Sequence, residues 1–320
     1  MSAQLTSSAG FSSRSDKQHS NDQGVTTEKV STRHSSQLRE GFGVDGGKVA
    51  WRHVICFVLL AYGSAWAIWA ALLGPTIMDA LREGRTPDSF TATLAITLGM
   101  YAPALAAVVM RLFISREGLR RALKPLPSLR MALGAVLIPM ALILILVAIV
   151  TTTNIGDATP GKPWGTLLAI LTFVGIPVGA ALAFGEEFGW RGYLLPKLLP
   201  LGEVKAALIV GVIWGPWHLP VLVAGLNYPG ELIIAVLAVF LLSATLLSLL
   251  HARFYVASGY SLIAVSLLHG SLNTFSDRLT DQGHLSGNPL IVSGGGVIAS
   301  ALIAAGLFIA YRVLARRKSS

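Results

Sequence analysis

Long apolar stretches recur along the chain, and each has about the length that crosses a bilayer as a helix, roughly 20 residues. Eight stretches qualify: 53–74, 91–112, 131–152, 166–188, 206–225, 231–250, 258–274 and 293–314. Only 13% of the residues are charged, whereas a soluble domain carries about twice that fraction. The sequence therefore excludes an ordinary soluble protein and predicts an all-α, polytopic membrane protein with eight transmembrane helices.

The first fifty residues differ in composition from the rest of the chain. They are rich in serine, carry charges of both signs and contain few large apolar side chains. Such a segment cannot bury enough apolar surface to offset its chain entropy. We predict a disordered tail over 1–50 and a transmembrane domain over 51–320.

The basic residues are distributed unevenly between the predicted loops. With eight spans, both chain ends share one side of the membrane, and the loops of that side hold most of the lysines and arginines. Four basic residues would face the other side: Arg82, Arg85, Lys162 and Arg278. Because cytoplasmic loops carry the excess of Lys and Arg, we expect a multi-pass plasma-membrane protein with both termini in the cytoplasm. The net charge of +9 is then explained by topology and by contact with lipids, and we expect no nucleic-acid partner.

Ionisable side chains inside predicted spans mark candidate functional residues, because they are costly in lipid unless paired or solvated. Three spans carry such polar groups: Glu186, Glu187 and Arg191 in the fourth, His218 in the fifth, and His269 and Asn273 in the seventh. His251 and His284 lie near predicted span ends or in loops, where we expect interface roles. The single cysteine, Cys56, excludes an intrachain disulfide.

Helical spacing divides these groups into two sets. Positions four apart share a helix face, so Glu187 and Arg191 are expected to form a structural ion pair with the favourable order of charges. Glu186 has no basic partner in its own span, and His269 shares a face with Asn273. We therefore expect a central polar cavity lined by four side chains: Glu186, His218, His269 and Asn273.

Such a cavity has the groups that hydrolysis requires. A carboxylate and a neutral imidazole can take a proton from water, and a second imidazole and an amide can donate hydrogen bonds to an oxyanion. Glu186, His218 and His269 also form a suitable zinc ligand set, although the HExxH spacing of soluble zinc proteases is absent. The residues do not decide between a zinc-held and a carboxylate-held water.

Three motifs in this order resemble the CPBP family, the intramembrane CAAX-prenyl-protease and bacteriocin-processing group, also called the ABI family. They are Glu-Glu-x-x-x-Arg at 186–191, Trp-x-x-x-His at 214–218 and His-x-x-x-Asn at 269–273. The resemblance covers about 165–275. Trp214 stands where the second motif often begins with Phe.

The resemblance implies an eight-helix intramembrane endopeptidase whose cavity opens toward the cytosol. By the family pattern, Glu186 and His218 would activate water, while His269 and Asn273 would stabilise the oxyanion. Glu187 and Arg191 would support the site.

The implied partners are membrane lipids and a membrane-tethered protein or peptide, prenylated or not, that is cleaved near its C-terminus. The implied cofactor is one zinc ion or none. A second class of function stays open, namely a non-catalytic bacteriocin-immunity protein or scaffold, or a small proton-coupled transporter. Intramembrane Glu, His and Arg also build proton relays.

Glycines and prolines near the motifs predict local geometry. Gly175 and Gly179, and likewise Gly185 and Gly189, have the GxxxG spacing that allows close helix packing. Pro216 and Pro220 lie on either side of His218 and predict local unwinding there.

Overall fold

The computed structural model describes residues 47–83, 89–119, 123, 126–158, 174–228, 230–277 and 285–319. Within these ranges the regular structure is helical, and an isolated β-bridge joins Ala158 to Leu285. The predicted all-α class is therefore confirmed. Residues 1–46 of the tail predicted for 1–50 lie outside the described residues, and so does His284.

The helices are numbered in chain order. The longer helices are α1 (Trp51–Glu83), α2 (Ser89–Met100), α3 (Ala102–Val109), α4 (Leu129–Thr152), α5 (Ile176–Gly189), α7 (Glu203–Trp217), α9 (Ile233–Ala257), α10 (Leu262–Ser276) and α12 (Val297–Ser319). The short helices are α6 (Leu195–Leu198), α8 (Leu219–Val223) and α11 (Pro289–Val292). Two π-helical turns, Met110–Ile114 and Trp190–Leu194, continue α3 and α5.

In the described part of the chain, five helical stretches are long and apolar enough to cross a membrane. They are Trp51–Asp79, Phe90–Ile114, Leu129–Thr152, Ile233–Ala257 and Pro289–Arg316. These stretches coincide with the first, second, third, sixth and eighth predicted spans. The chain is therefore an integral membrane protein by the length and composition of its helices.

The three other predicted spans contain the polar motifs and correspond to shorter helices. α7 and α10 have 15 residues each, below the roughly 20 needed to cross the hydrocarbon core. α5 has 14 residues and is continued without a break by the π-helical turn Trp190–Leu194 and by α6, which carry the basic residues Arg191 and Lys197. The first part of the fourth predicted span also lies outside the described residues. The total of eight spans therefore stays a prediction.

Glycines allow α5 and α10 to approach backbone to backbone. A Cβ atom on Gly179 would lie 2.8 Å from the carbonyl oxygen of Gly270, and one on Gly270 would overlap the backbone of Ala180. Small residues at helix interfaces in membranes allow backbones to approach this closely. The two helices that carry the first and third polar motifs are therefore held in direct contact.

The opposite face of α5 packs against the start of α3 in the same way. A Cβ atom on Gly185 would lie 2.7 Å from the carbonyl oxygen of Met100, and one on Gly189 would lie 2.6 Å from that of Pro103. The close packing predicted from the glycine spacing is confirmed for this pair and for Gly179.

One end of the bundle is joined by contacts among charged side chains. Lys197, in α6, forms an ion pair with Glu117. Arg253, near the end of α9, lies 3.4 Å from Glu203 at the start of α7, and the hydroxyl of Tyr311 in α12 donates to the same carboxylate at 3.3 Å. We call this set, with the adjacent helix termini and connections, the basic end.

The opposite end is joined by contacts between loops. The Asn288 amide donates to Glu231 at 2.9 Å, the Tyr228 hydroxyl donates to the carbonyl of Gly295 at 3.1 Å, and the Ser286 backbone N–H donates to the carbonyl of Asp157 at 2.8 Å. We call this set, with the adjacent helix termini and connections, the loop end. α9 runs from the loop end to the basic end, and α10 runs back.

Gly270→Ala should destabilise the protein by about 1–3 kcal/mol, because the added methyl group overpacks the contact with α5. Gly306→Ala in α12 is the matched control, since a Cβ atom there would meet nothing within 4 Å. The measurement is thermal unfolding in detergent. Equal melting temperatures for the two variants would contradict the close approach of α5 and α10.

Candidate active site

A cavity of about 400 Å³ lies between α5, α7, α9 and α10. Part of its wall is apolar and includes Trp69, Phe240 and Leu247. The four side chains that the sequence predicts to converge all line this cavity: Glu186, His218, His269 and Asn273. The structure therefore brings these groups of three helices to one space.

Glu186, on α5, is fixed by a side chain from α7. Its Oε2 atom accepts a hydrogen bond of 2.7 Å from the indole Nε1 of Trp214, and the contact is buried. A hydrogen bond to one carboxylate oxygen orients the whole group. The other oxygen is then available to accept a proton from a molecule in the cavity.

His218 lies at a break between α7 and α8, as the flanking prolines predict. Pro216 and Pro220 lack a backbone N–H, so the ladder of helix hydrogen bonds is interrupted around this position. The Nδ1 atom of His218 lies 3.0 Å from the carbonyl oxygen of Trp214. Because a carbonyl only accepts, Nδ1 carries the proton, and in the neutral ring Nε2 is the acceptor.

Glu187 faces away from the cavity and is fully buried. Its Oε1 atom accepts from Nη1 of Arg191 at 2.8 Å and from Nδ1 of His269 at 2.7 Å. The ion pair predicted from the four-residue spacing is therefore present. The contact with His269 joins α5 to α10 and fixes the ring of a residue that lines the cavity.

His251 is a further member of this buried cluster. Its Nδ1 atom lies 3.3 Å from Nη2 of Arg191, and the residue is completely inaccessible to solvent. The expected interface role of His251 is therefore wrong. The reason is that α9 runs on to Ala257 instead of ending near 250, which places His251 inside the helix.

Trp214 contacts several polar groups of the site. Besides its bonds to Glu186 and His218, its ring lies 4.9 Å from the Arg191 guanidinium carbon and 5.5 Å, edge to face, from the ring of His269. Sequence reasoning missed this role. The available signal was an indole where the resembled family often has Phe, because only the indole has an N–H to donate.

The described residues contain one group of three side chains whose metal-ligating atoms all lie within 4.8 Å of one another, namely Glu187, His251 and His269. The predicted zinc ligands share only His269 with this group. Arg191 already contacts both Glu187 and His251. A divalent ion added there would leave excess positive charge buried beside a single carboxylate, which is unfavourable. The guanidinium thus serves as the cation of this cluster, and the cluster fits zinc poorly.

Comparison with family models matches part of the chain. Residues 160–275 match the family model described as type II CAAX prenyl endopeptidase, Rce1-like. Over these residues the chain is similar to Rce1-like endopeptidases, and we call 160–275 the Rce1-like domain. All three motifs lie within this segment. The match supports the assignment of the chain as an intramembrane endopeptidase. No curated protein matches the chain.

Arg191→Met should destabilise the Rce1-like domain by about 3–5 kcal/mol, because it leaves the Glu187 carboxylate buried without its cation. Arg253→Met is the control, since its pair with Glu203 is partly exposed and should contribute about 0–1 kcal/mol. Thermal unfolding in detergent measures both. A smaller loss for Arg191→Met than for Arg253→Met would contradict the buried cluster.

Proposed function

We propose that the Rce1-like domain hydrolyses a peptide bond near the C-terminus of a membrane-tethered polypeptide, with a water activated by Glu186 and His218. The observation that carries the proposal is that both side chains line one cavity together with His269 and Asn273. The family match supports the same reaction class. It also favours a protease over an immunity protein, a scaffold or a transporter.

In the first step Glu186 accepts a proton from water as the oxygen attacks the carbonyl carbon of the scissile bond. The Nε2 atom of His218 accepts a hydrogen bond from the second water proton and orients the nucleophile. The protonated Glu186 then gives its proton to the departing amine as the C–N bond breaks. Protons balance, and the carboxylate is restored.

The developing oxyanion requires hydrogen-bond donors on the cavity wall. The amide of Asn273 supplies one donor. Glu187 holds the Nδ1 proton of His269 and thereby orients the ring at the cavity wall, where Nε2 would supply a second donor in the protonated ring. A preorganised donor of this kind is worth about 10²–10³ in rate.

The apolar wall of the cavity, which includes Trp69 and Phe240, fits an apolar side chain or a prenyl tail beside the scissile bond. We propose the carboxylate-held water over a zinc-held water. The reason is that Arg191 already supplies the positive charge in the buried cluster of Glu187, His251 and His269. Zinc found by elemental analysis in amounts that track activity would contradict this choice.

Glu186→Gln should reduce peptide cleavage by about 10²–10⁴, because the amide keeps the shape and a partner for Trp214 but cannot accept the proton. Glu231→Gln, outside the cavity lining, is the matched control and should keep full activity. The assay is cleavage of membrane-tethered CAAX-type peptides, prenylated and not, by protein reconstituted in liposomes.

Unchanged processing by Glu186→Gln would refute the assignment of the base. An equal loss of cleavage in both variants would show that activity depends on the negative charge of either carboxylate and not on a position in the cavity.

A further inference from the structure

The cavity reaches the surface at the loop end of the bundle. Its lining includes Asn227 and Tyr228, between α8 and α9, and residues 293–295, between α11 and α12. Asn227 and Asp277 both line the cavity and are exposed to solvent. None of the described lining residues comes from the connections of the basic end, at 110–128, 199–202 and 258–261. The third exposed lining residue, Ile96, lies on α2. Among the described residues, the polar opening of the cavity is therefore at the loop end.

The course of the helices supports this placement. α9 starts at the loop end, and its lining residues lie between Phe240 and Leu247, in the first 15 of its 25 residues. α10 ends at the loop end, and its lining residues run from His269 to Ser276, in the second half of the helix. The cavity thus occupies the half of the bundle nearer the loop end.

Positive charge is concentrated at the other end. The basic end and its adjacent helix termini hold these lysines and arginines: Lys48, Arg52, Arg111, Arg116, Arg130, Lys197, Lys205, Arg253, Arg312 and Arg316. At the loop end the described residues include one such cation, Arg82, and these acids: Asp79, Glu83, Asp157, Glu231 and Asp277. Arg85, Lys162 and Arg278, with Asp88 and Asp281, lie outside the described residues. By the distribution of Lys and Arg, the basic end faces the cytoplasm.

Two expectations from the sequence therefore cannot both hold. The charge distribution places the basic end in the cytoplasm, whereas the family resemblance implies a cavity open toward the cytosol. In this chain the cavity and the basic residues lie at opposite ends. We infer that the cavity opens to the extracytoplasmic side, and that the substrate is a membrane-tethered polypeptide exposed on that side. The location of the substrate rests on the proposed function, but the orientation of the cavity does not.

Cysteine labelling tests the orientation without requiring activity. Cys56 is the single cysteine, so Cys56→Ala gives a background without thiols. Ser286→Cys then marks the loop end and Ser128→Cys marks the basic end. Both serines are exposed, each substitution is nearly isosteric, and neither residue lines the cavity.

Intact cells are treated with a membrane-impermeant maleimide before and after permeabilisation. We expect Ser286→Cys to be labelled in intact cells and Ser128→Cys to be labelled only after permeabilisation. The reverse pattern, or equal labelling of both variants in intact cells, would overturn the orientation and with it the extracytoplasmic substrate.

A second arm tests the substrate clause. The same membrane-tethered peptide is anchored either on the extracytoplasmic or on the cytoplasmic face of cells that express the protein. Cleavage of the extracytoplasmic reporter alone supports the inference, and cleavage of the cytoplasmic reporter refutes it. If neither reporter is cleaved while the labelling is as expected, the orientation stands and the proposed protease function fails.

Discussion

The buried carboxylate of Glu187 is the constraint on which the rest of the structure depends. An unpaired charge at that position would cost several kcal/mol, so the fold must bring donors to it from more than one helix. Arg191 supplies one from the next turn of the same helical segment, and His269 supplies another from α10. The glycine contacts between α5 and α10 allow this approach, because a larger side chain would separate the two helices.

The neighbouring carboxylates of Glu186 and Glu187 have different roles because their side chains point in different directions from the helix. Consecutive residues of a helix point about 100° apart, so Glu187 faces the interior while Glu186 faces the cavity. Trp214 connects the two environments, since its ring lies over the guanidinium of Arg191 and its N–H bonds to Glu186. The charged cluster therefore holds in place the side chain that orients the proposed base.

Local patterns in the sequence predicted a large part of this arrangement. The helical class, five spans, the Glu187–Arg191 pair and the break at His218 depend on contacts within one segment, where spacing determines geometry. The hydrogen bond from Trp214 to Glu186 and the burial of His251 depend on how separate helices pack, and spacing within one helix does not encode that. The relation between cavity and basic end required the three-dimensional course of α9 and α10. The roles of the six motif residues in catalysis remain predictions.

Steady-state cleavage by Trp214→Phe is the most direct measurement of whether Glu186, held by the indole, is the base. Phenylalanine keeps an aromatic ring beside His218 and Arg191 but removes the N–H. Trp66→Phe is the matched control, because it also removes an indole hydrogen bond, here to the carbonyl of Trp217. We predict that kcat falls by about tenfold or more in Trp214→Phe with KM nearly unchanged, while Trp66→Phe keeps both. An unchanged kcat in Trp214→Phe would contradict the central claim.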